Sequence, residues 1–208
     1  MRPMKATAWL AALVFFFQLP IPLYWLIFHP AIGFWRRHGK AVYFAALLVS
    51  WGPVTAFLFL FHARLFRIGW PRAWEIAPGL ALIFFEVWIF HRVKRDLGGA
   101  RMAGHAELRG DIAVVRGGIY SRVRNPRYVG SFLAIVGACL LAATRLAWIV
   151  AAVWTALTLL AIFLEERELR SRLGQSYEEY CRRVPRFLPR RPLAKNESIS
   201  EFQPSDSL

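Results

Sequence analysis

Five apolar stretches divide the chain, at roughly 8–28, 41–61, 73–91, 126–143 and 147–164. The first two are about 20 residues each, the length needed to cross ~30 Å of hydrocarbon at 1.5 Å per residue. Soluble helices are rarely apolar all round over that length, so the stretches predict a bundle of membrane-spanning helices. The first is too long for a cleaved signal segment and lacks a small-residue exit; Pro20 and Pro22 predict a kink in it instead. The third carries Glu75 at one end and Glu86 within FFEVWIF. A carboxylate inside a span is a functional candidate by default, and the alternative for Glu86 is a helix-end acid paired with Arg92 or Lys94.

Two long polar segments interrupt this pattern, 92–125 inside the chain and 165–208 at its end. They suggest a division into a three-span region (1–91), a second region with a loop, a helical hairpin and an amphipathic segment (92–194), and a disordered tail (195–208). The internal loop is rich in glycine and holds a short strand-like IAVV at 112–115 before it enters the fourth stretch through GIYSRVRNPRYVG. Pro126 suits the first turn of a helix with Asn125 as its N-cap. The positive end of that helix then lies among Arg122, Arg124 and Arg127, an arrangement that suits an anion.

Thr144 and Arg145 join the last two stretches, which predicts an antiparallel hairpin. Tyr128 is 16 residues before that turn and Glu165 about 20 after it, so the two lie ~24 and ~30 Å from it and return to the same membrane surface. Gly130, Ala134 and Gly137 make a small-residue face that permits close helix contact. Beyond the hairpin, Glu166/Arg170 and Glu168/Arg172 are i,i+4 pairs of a helix running into water. Gly174 interrupts that helix, Ser176 to Glu179 reads as a capping box that restarts one, and Pro185 stops it. Val184, Phe187 and Leu188 are placed to fold back on the membrane or over a pocket.

Composition narrows the function classes. The 208 residues are 57% hydrophobic and 19% charged with a net charge of +14, more apolar than soluble domains at about 45–50%. Seventeen Phe and nine Trp exclude a disordered chain, and a nucleic-acid binder would explain the charge but not the apolar runs. Two cysteines, Cys139 and Cys181, make no disulfide framework, and the scattered histidines suggest no metal cluster. The charge is also lopsided. With five spans, one side holds only Arg2, Lys5, Arg64, Arg67, Arg72 and Arg145, and the other holds the remaining 21 of the 27 Lys and Arg. The positive-inside rule therefore puts the N-terminus outside and the first loop, the 92–125 loop and the C-terminal tail in the cytoplasm.

Two blocks in the C-terminal half carry a resemblance. The first is Gly118, Tyr120, Arg124, Asn125, Pro126, Tyr128 and Gly130; the second is Glu165, Glu166, Leu169, Gly174, Tyr177, Tyr180, Val184, Pro185 and Pro189. Separated by a hairpin, they resemble the pattern of the isoprenylcysteine carboxyl methyltransferase and phospholipid methyltransferase superfamily, over about 118–189. The resemblance implies an all-α membrane methyltransferase that uses S-adenosyl-L-methionine in a pocket at the cytosolic end of the hairpin. Tyr120, Arg124, Asn125, Pro126 and Tyr128 would line one side of the pocket and Glu165 and Glu166 another, with Tyr177, Tyr180 and VPRFLP capping it. Asn125 departs from the usual eukaryotic His, and since Asn holds no proton an acid/base role at that position does not carry over.

The chemistry fits that implication. Arg124 or the helix N-terminus suits the cofactor carboxylate, and Glu165 or Glu166 its ammonium or ribose diol. Methyl transfer is an in-line displacement that mostly needs alignment in a dry pocket. A carboxylate acceptor is already ionised and needs a positioning cation, for which Arg124 is the candidate over Arg127 and Arg183. An amine acceptor needs a base, for which Glu165 or Glu166 is nearest. The resulting expectation is isoprenylcysteine-type carboxylate O-methylation on a lipid-linked acceptor, with Arg124 and Glu165 catalytic. Phospholipid N-methylation and thiol S-methylation are the alternatives within the family. A nicotinamide-dependent membrane reductase or a non-catalytic protein on the same scaffold are those outside it.

Overall fold

A computed structural model describes residues 5–28, 33, 34, 37, 40–98 and 115–189. The strand expected at 112–115, Val115 apart, and the tail at 195–208 lie outside the described residues. Among those residues every regular element is helical. Helices α1 (Ala6–Gln18) and α2 (Pro20–Phe28) together make the first expected span. They part at Leu19, whose N–H still reaches Phe15 O at 2.9 Å, because the next residue, Pro20, has no N–H to continue the ladder. Helix α3 (Lys40–His62) runs on through a π-helical turn, Ala63–Arg67. Helix α4 (Ala73–Leu97) opens with Arg72 N donating to Glu75 Oε2 at 2.6 Å, so Glu75 closes the helix start. Helices α5 (Pro126–Ala142), α6 (Arg145–Leu173) and α7 (Gln175–Arg183) complete the set.

Among the described residues, four segments are long and apolar enough to cross a membrane: Ala6–Ile27, Leu47–Arg67, Ala73–Leu97 and Arg145–Leu173. The fourth expected span, at 126–143, is instead the shorter α5, whose 17 residues reach about 25 Å. Burial explains why a shorter helix serves here. Ser131, Ala134, Ile135, Ala138, Cys139, Leu141 and Ala142 on α5 are all buried, with α4 and α1 packed along it. A helix enclosed by protein does not have to match the bilayer. The long helices do face it, through exposed Leu48, Phe59, Leu60, Phe84, Ile149 and Phe163. The chain is an all-α membrane helical bundle.

The small-residue face of α5 is what lets α4 approach. A Cβ on Gly137 would lie 2.7 Å from Gly79 O and 2.9 Å from Ile83, so the two backbones touch at a pair of glycines. At the far end the chain turns through Ala143, with φ +50°, into α6. Thr144 Oγ1 accepts from Ala147 N at 3.2 Å and donates to Leu65 O at 3.0 Å. One buried hydroxyl thus caps α6, a bond worth about 1 kcal/mol, and ties the hairpin to the π turn.

Candidate active site

The polar residues collect at the opposite end of the hairpin. Chain entering α5 passes through a 3₁₀ turn, Gly118–Ser121. Gly118 takes φ +59°, and a side chain there would collide with the carboxylate of Asp96. That carboxylate accepts from Ile119 N at 2.8 Å, which pins the turn to the end of α4. The segment after α7 then runs alongside the entry to α5: Arg124 N donates to Pro185 O at 2.9 Å and Asn125 N to Arg186 O at 3.2 Å. Arg116 adds a second tie, donating to the hydroxyl of Ser176 at 2.8 Å and to its carbonyl at 2.9 Å.

Glu166 lies at the centre, with 1% of its surface exposed. Asn125 Nδ2 donates to its Oε1 at 3.0 Å, and Arg186 brackets it with Nε at 3.2 Å from Oε1 and Nη2 at 2.6 Å from Oε2. Arg124 Nη2 stands 3.7 Å from Oε1 and Arg170 Nη2 3.9 Å from Oε2. A buried carboxylate is stable only when paired and hydrogen-bonded, and four side chains meet that need here. The hydrogen bond to Glu166 holds the Arg186 guanidinium above its ordinary range. One turn along α5, Tyr128 OH donates to Glu165 Oε2 at 2.7 Å.

A small apolar cluster closes over these groups. Tyr177, Tyr180 and Val184 are buried together against Leu169, Leu173 and Cys181. Tyr180 OH donates to Tyr120 O at 2.8 Å, joining α7 to the 3₁₀ turn. Burial, and then the nearby Glu165 carboxylate, push the Tyr120 phenol up; burial, and then Glu166, do the same at Tyr177. These tyrosines are neutral donors and walls. Phe187 reaches back into the bundle, its ring edge-on to Phe132 with centroids 6.4 Å apart, while Leu188 is exposed.

Tyr120, Arg124, Asn125, Pro126, Tyr128, Glu165, Glu166, Tyr177 and Tyr180, separate in sequence, therefore meet at one end of the hairpin. Two local expectations change. Asn125 holds the N-cap position without capping, since its side chain is spent on Glu166. Helix α7 begins at Gln175, one residue before the expected cap, and Ser176 accepts from Arg116 instead of closing a capping box. Arg186, expected only as part of the capping VPRFLP segment, turns out to be a principal partner of Glu166. Its only signal was a place just after the helix-stopping Pro185. Arg127 points elsewhere, over the Trp25 ring at 5.8 Å, and Arg183 is exposed. Glu86 turns toward α1, where Gln18 stands beside it.

A membrane bundle with one carboxylate–guanidinium site at a helix start defines the class. The model of the phospholipid methyltransferase family matches residues 74–176, which include α4, α5 and α6. This match supports, for that region, the isoprenylcysteine carboxyl methyltransferase and phospholipid methyltransferase superfamily. Among curated relatives, it is 35% identical over 85 residues to a nickel-cobalt-cadmium resistance protein, NccN, of Alcaligenes xylosoxydans xylosoxydans, covering 41% of this chain and 40% of that one. It is 40% identical over 70 residues to a methanethiol S-methyltransferase of Crocosphaera subtropica, covering 34% of this chain and 27% of that one. The chain thus spans less than half the length of either relative. No solved structure is a significant match.

Proposed function

We propose that the chain is an integral-membrane methyltransferase that takes its methyl group from S-adenosyl-L-methionine and acts on a membrane-embedded or lipid-linked acceptor. The observation that carries this is Arg124. Its side chain is 9% exposed, one nitrogen leans on Glu166, and Nε and Nη1 are buried without a partner. Each of these nitrogens can donate to an anionic oxygen, and the methionyl end of the cofactor offers a carboxylate. Tyr120, Tyr177 and Tyr180 would wall the site from water. Glu166 is a positioning residue: it holds Arg124 and Arg186 in place.

When bound, the cofactor supplies an electrophilic methyl group on a sulfonium. The rest is alignment by this chain's residues. Our reading of the acceptor is a thiol. Thiols have a pKa of about 8.5 and must shed a proton, which Glu165 would take while Tyr128 OH holds its carboxylate in place. Arg124 would hold the cofactor, which would supply its methyl group to the thiolate sulfur and leave as a neutral sulfide, retaining the electron pair of the broken S–C bond. The relative named methanethiol S-methyltransferase supports this choice. The isoprenylcysteine-type carboxylate is the second reading, favoured by the same two unpartnered Arg124 nitrogens, which suit an acceptor carboxylate equally. The site and the C-terminus lie on the cytoplasmic side in this proposal and the N-terminus outside, as the lopsided basic charge suggests.

Titration of detergent-purified protein with S-adenosylhomocysteine tests the reading. One-to-one binding that is lost in Arg124→Ala is expected; no binding to the wild type overturns it. Tritiated methyl transfer to alkyl thiols, farnesylcysteine and aminophospholipid vesicles, run in parallel, then identifies the acceptor.

A further inference from the structure

A polar feature that methyl transfer leaves unused lies inside the bundle. A cavity of about 470 Å³ opens between α1, α4 and α5. That volume is within the range of pockets that hold small organic ligands. Its outer wall is formed by Leu13, Phe17, Val87 and Phe90, each 42% exposed or more, so it opens sideways toward lipid. Its inner wall is α5 at Gly130, Ser131 and Ala134. Gly130 faces Glu86, whose Cγ would lie in ordinary contact, 3.5 Å, from a Cβ placed there.

The chemistry of the inner wall is specific. Gln18 is 8% exposed and lines the cavity together with Glu86, its side chain close enough to lower the energy of that carboxylate. Gln18 Oε1, however, is buried without a partner. A buried acceptor left unmade is costly, and here it stands beside a carboxylate in an apolar chamber. Two neighbouring acceptors call for donors, and a charge-bearing donor best of all. Two basic groups stand nearby, and His91 is close enough to Glu86 to act on its charge. His91 Nδ1 bonds to Val87 O at 2.7 Å, and Arg127, at the cytosolic end of the cavity, lies over Trp25. The lipid-facing mouth selects a ligand with an apolar tail.

We infer that the cavity between α1, α4 and α5 binds an amphiphile with a primary ammonium head, held by Gln18 Oε1 and the Glu86 carboxylate. The head donates up to three hydrogen bonds, and its chain lies along Leu13, Phe17 and Phe90. This site is separate from the Arg124 centre and stands whether or not methyl transfer is the activity.

Octylamine titrated calorimetrically into the full chain in phosphatidylcholine nanodiscs, with empty nanodiscs subtracted, tests it. Saturable one-to-one binding is expected, weakened at least about tenfold by Gln18→Leu and by Glu86→Gln, as loss of a charge-assisted hydrogen bond predicts. Octyltrimethylammonium, with the same charge and no N–H, and octanol, with a neutral donor, should each bind at least about tenfold more weakly. Leu13→Trp fills the cavity from its exposed wall and should abolish binding in a protein of unchanged thermal stability. That variant decides the matter if either polar variant fails to fold. No saturable binding, equal binding of the two cations, octanol binding as tightly as the amine, or full binding in Leu13→Trp overturns the inference.

Discussion

Asn125 Nδ2 donates to Glu166 Oε1 at 3.0 Å, a bond that spans 41 residues and joins the start of α5 to the end of α6. It explains why Asn125 does not cap its own helix, and it makes Glu166 the point on which both sides of the site converge. With Arg124, Arg170 and Arg186 also at this carboxylate, the cluster holds the site's geometry more than it stabilises the fold.

Removing that carboxylate should be costly. Glu166→Ala leaves Arg124 and Arg186 facing each other without their common partner, and breaking a buried pair from one side costs about 3–5 kcal/mol. Glu166→Gln keeps the shape and one acceptor, so it should lose less. Thermal unfolding in detergent is the measurement. A Glu166→Ala protein as stable as wild type would show that the cluster is relaxed and carries no structural role.

Tyr128 separates chemistry from packing. Its ring is buried with Trp25, Ala161 and Ile162, while its hydroxyl donates to Glu165 Oε2. Tyr128→Phe should therefore leave thermal stability nearly unchanged and cofactor KM within about twofold. The loss should appear in kcat, by roughly 100-fold if the hydroxyl positions a proton acceptor. A loss confined to KM would assign Tyr128 to binding instead.

Much of this arrangement is legible in the chain. Apolar runs locate the long helices because length and hydropathy are local properties. Residue counts from the Thr144 turn bring Tyr128 and Glu165 to one level because a helix rises uniformly. The unread parts are those set by tertiary contact. The length of α5 is tolerated because neighbours bury it, which no window of sequence reports. Asn125, Ser176 and Glu75 all carry cap-forming side chains, and which of them caps a helix depends on partners distant in sequence: Glu166 and Arg116 divert the first two. Arg186 has only its place in VPRFLP and Gln18 has no motif, and the return of α7 and the packing of α1 give them roles.

The contact of α4 with α5 should fail on a single added side chain. A Cβ on Gly137 meets Gly79 O, a backbone atom that cannot swing away, and a larger side chain meets Ile83 as well. Gly137→Val should destabilise the bundle by about 1–3 kcal/mol through overpacking. Gly52 in α3 has nothing within 4 Å of its built Cβ, so Gly52→Ala should be neutral or slightly stabilising, by up to about 1 kcal/mol. Unfolding temperatures of the two variants, measured side by side, check both signs. Equal behaviour would mean that the glycine contact is not a tight one.

Alkaline pH should open the lid over the site. Burial pushes the Tyr180 phenol from 10.0 up to about 12, with Arg124 pulling the other way. The folded protein then holds this proton where the unfolded chain gives it up. The contribution to stability is complete below pH 10 and is lost as pH rises toward 12. Tyr180 OH also donates to Tyr120 O at 2.8 Å, so an ionised phenolate would exchange that bond for a repulsion between two acceptors. The wild type should lose unfolding temperature steadily over this interval, and Tyr180→Phe should lose less over it while starting lower, without the hydroxyl bond. Paired melts across the interval give the comparison. Parallel curves for the two proteins would show that Tyr180 titrates as an ordinary exposed phenol and that α7 does not depend on it for closure.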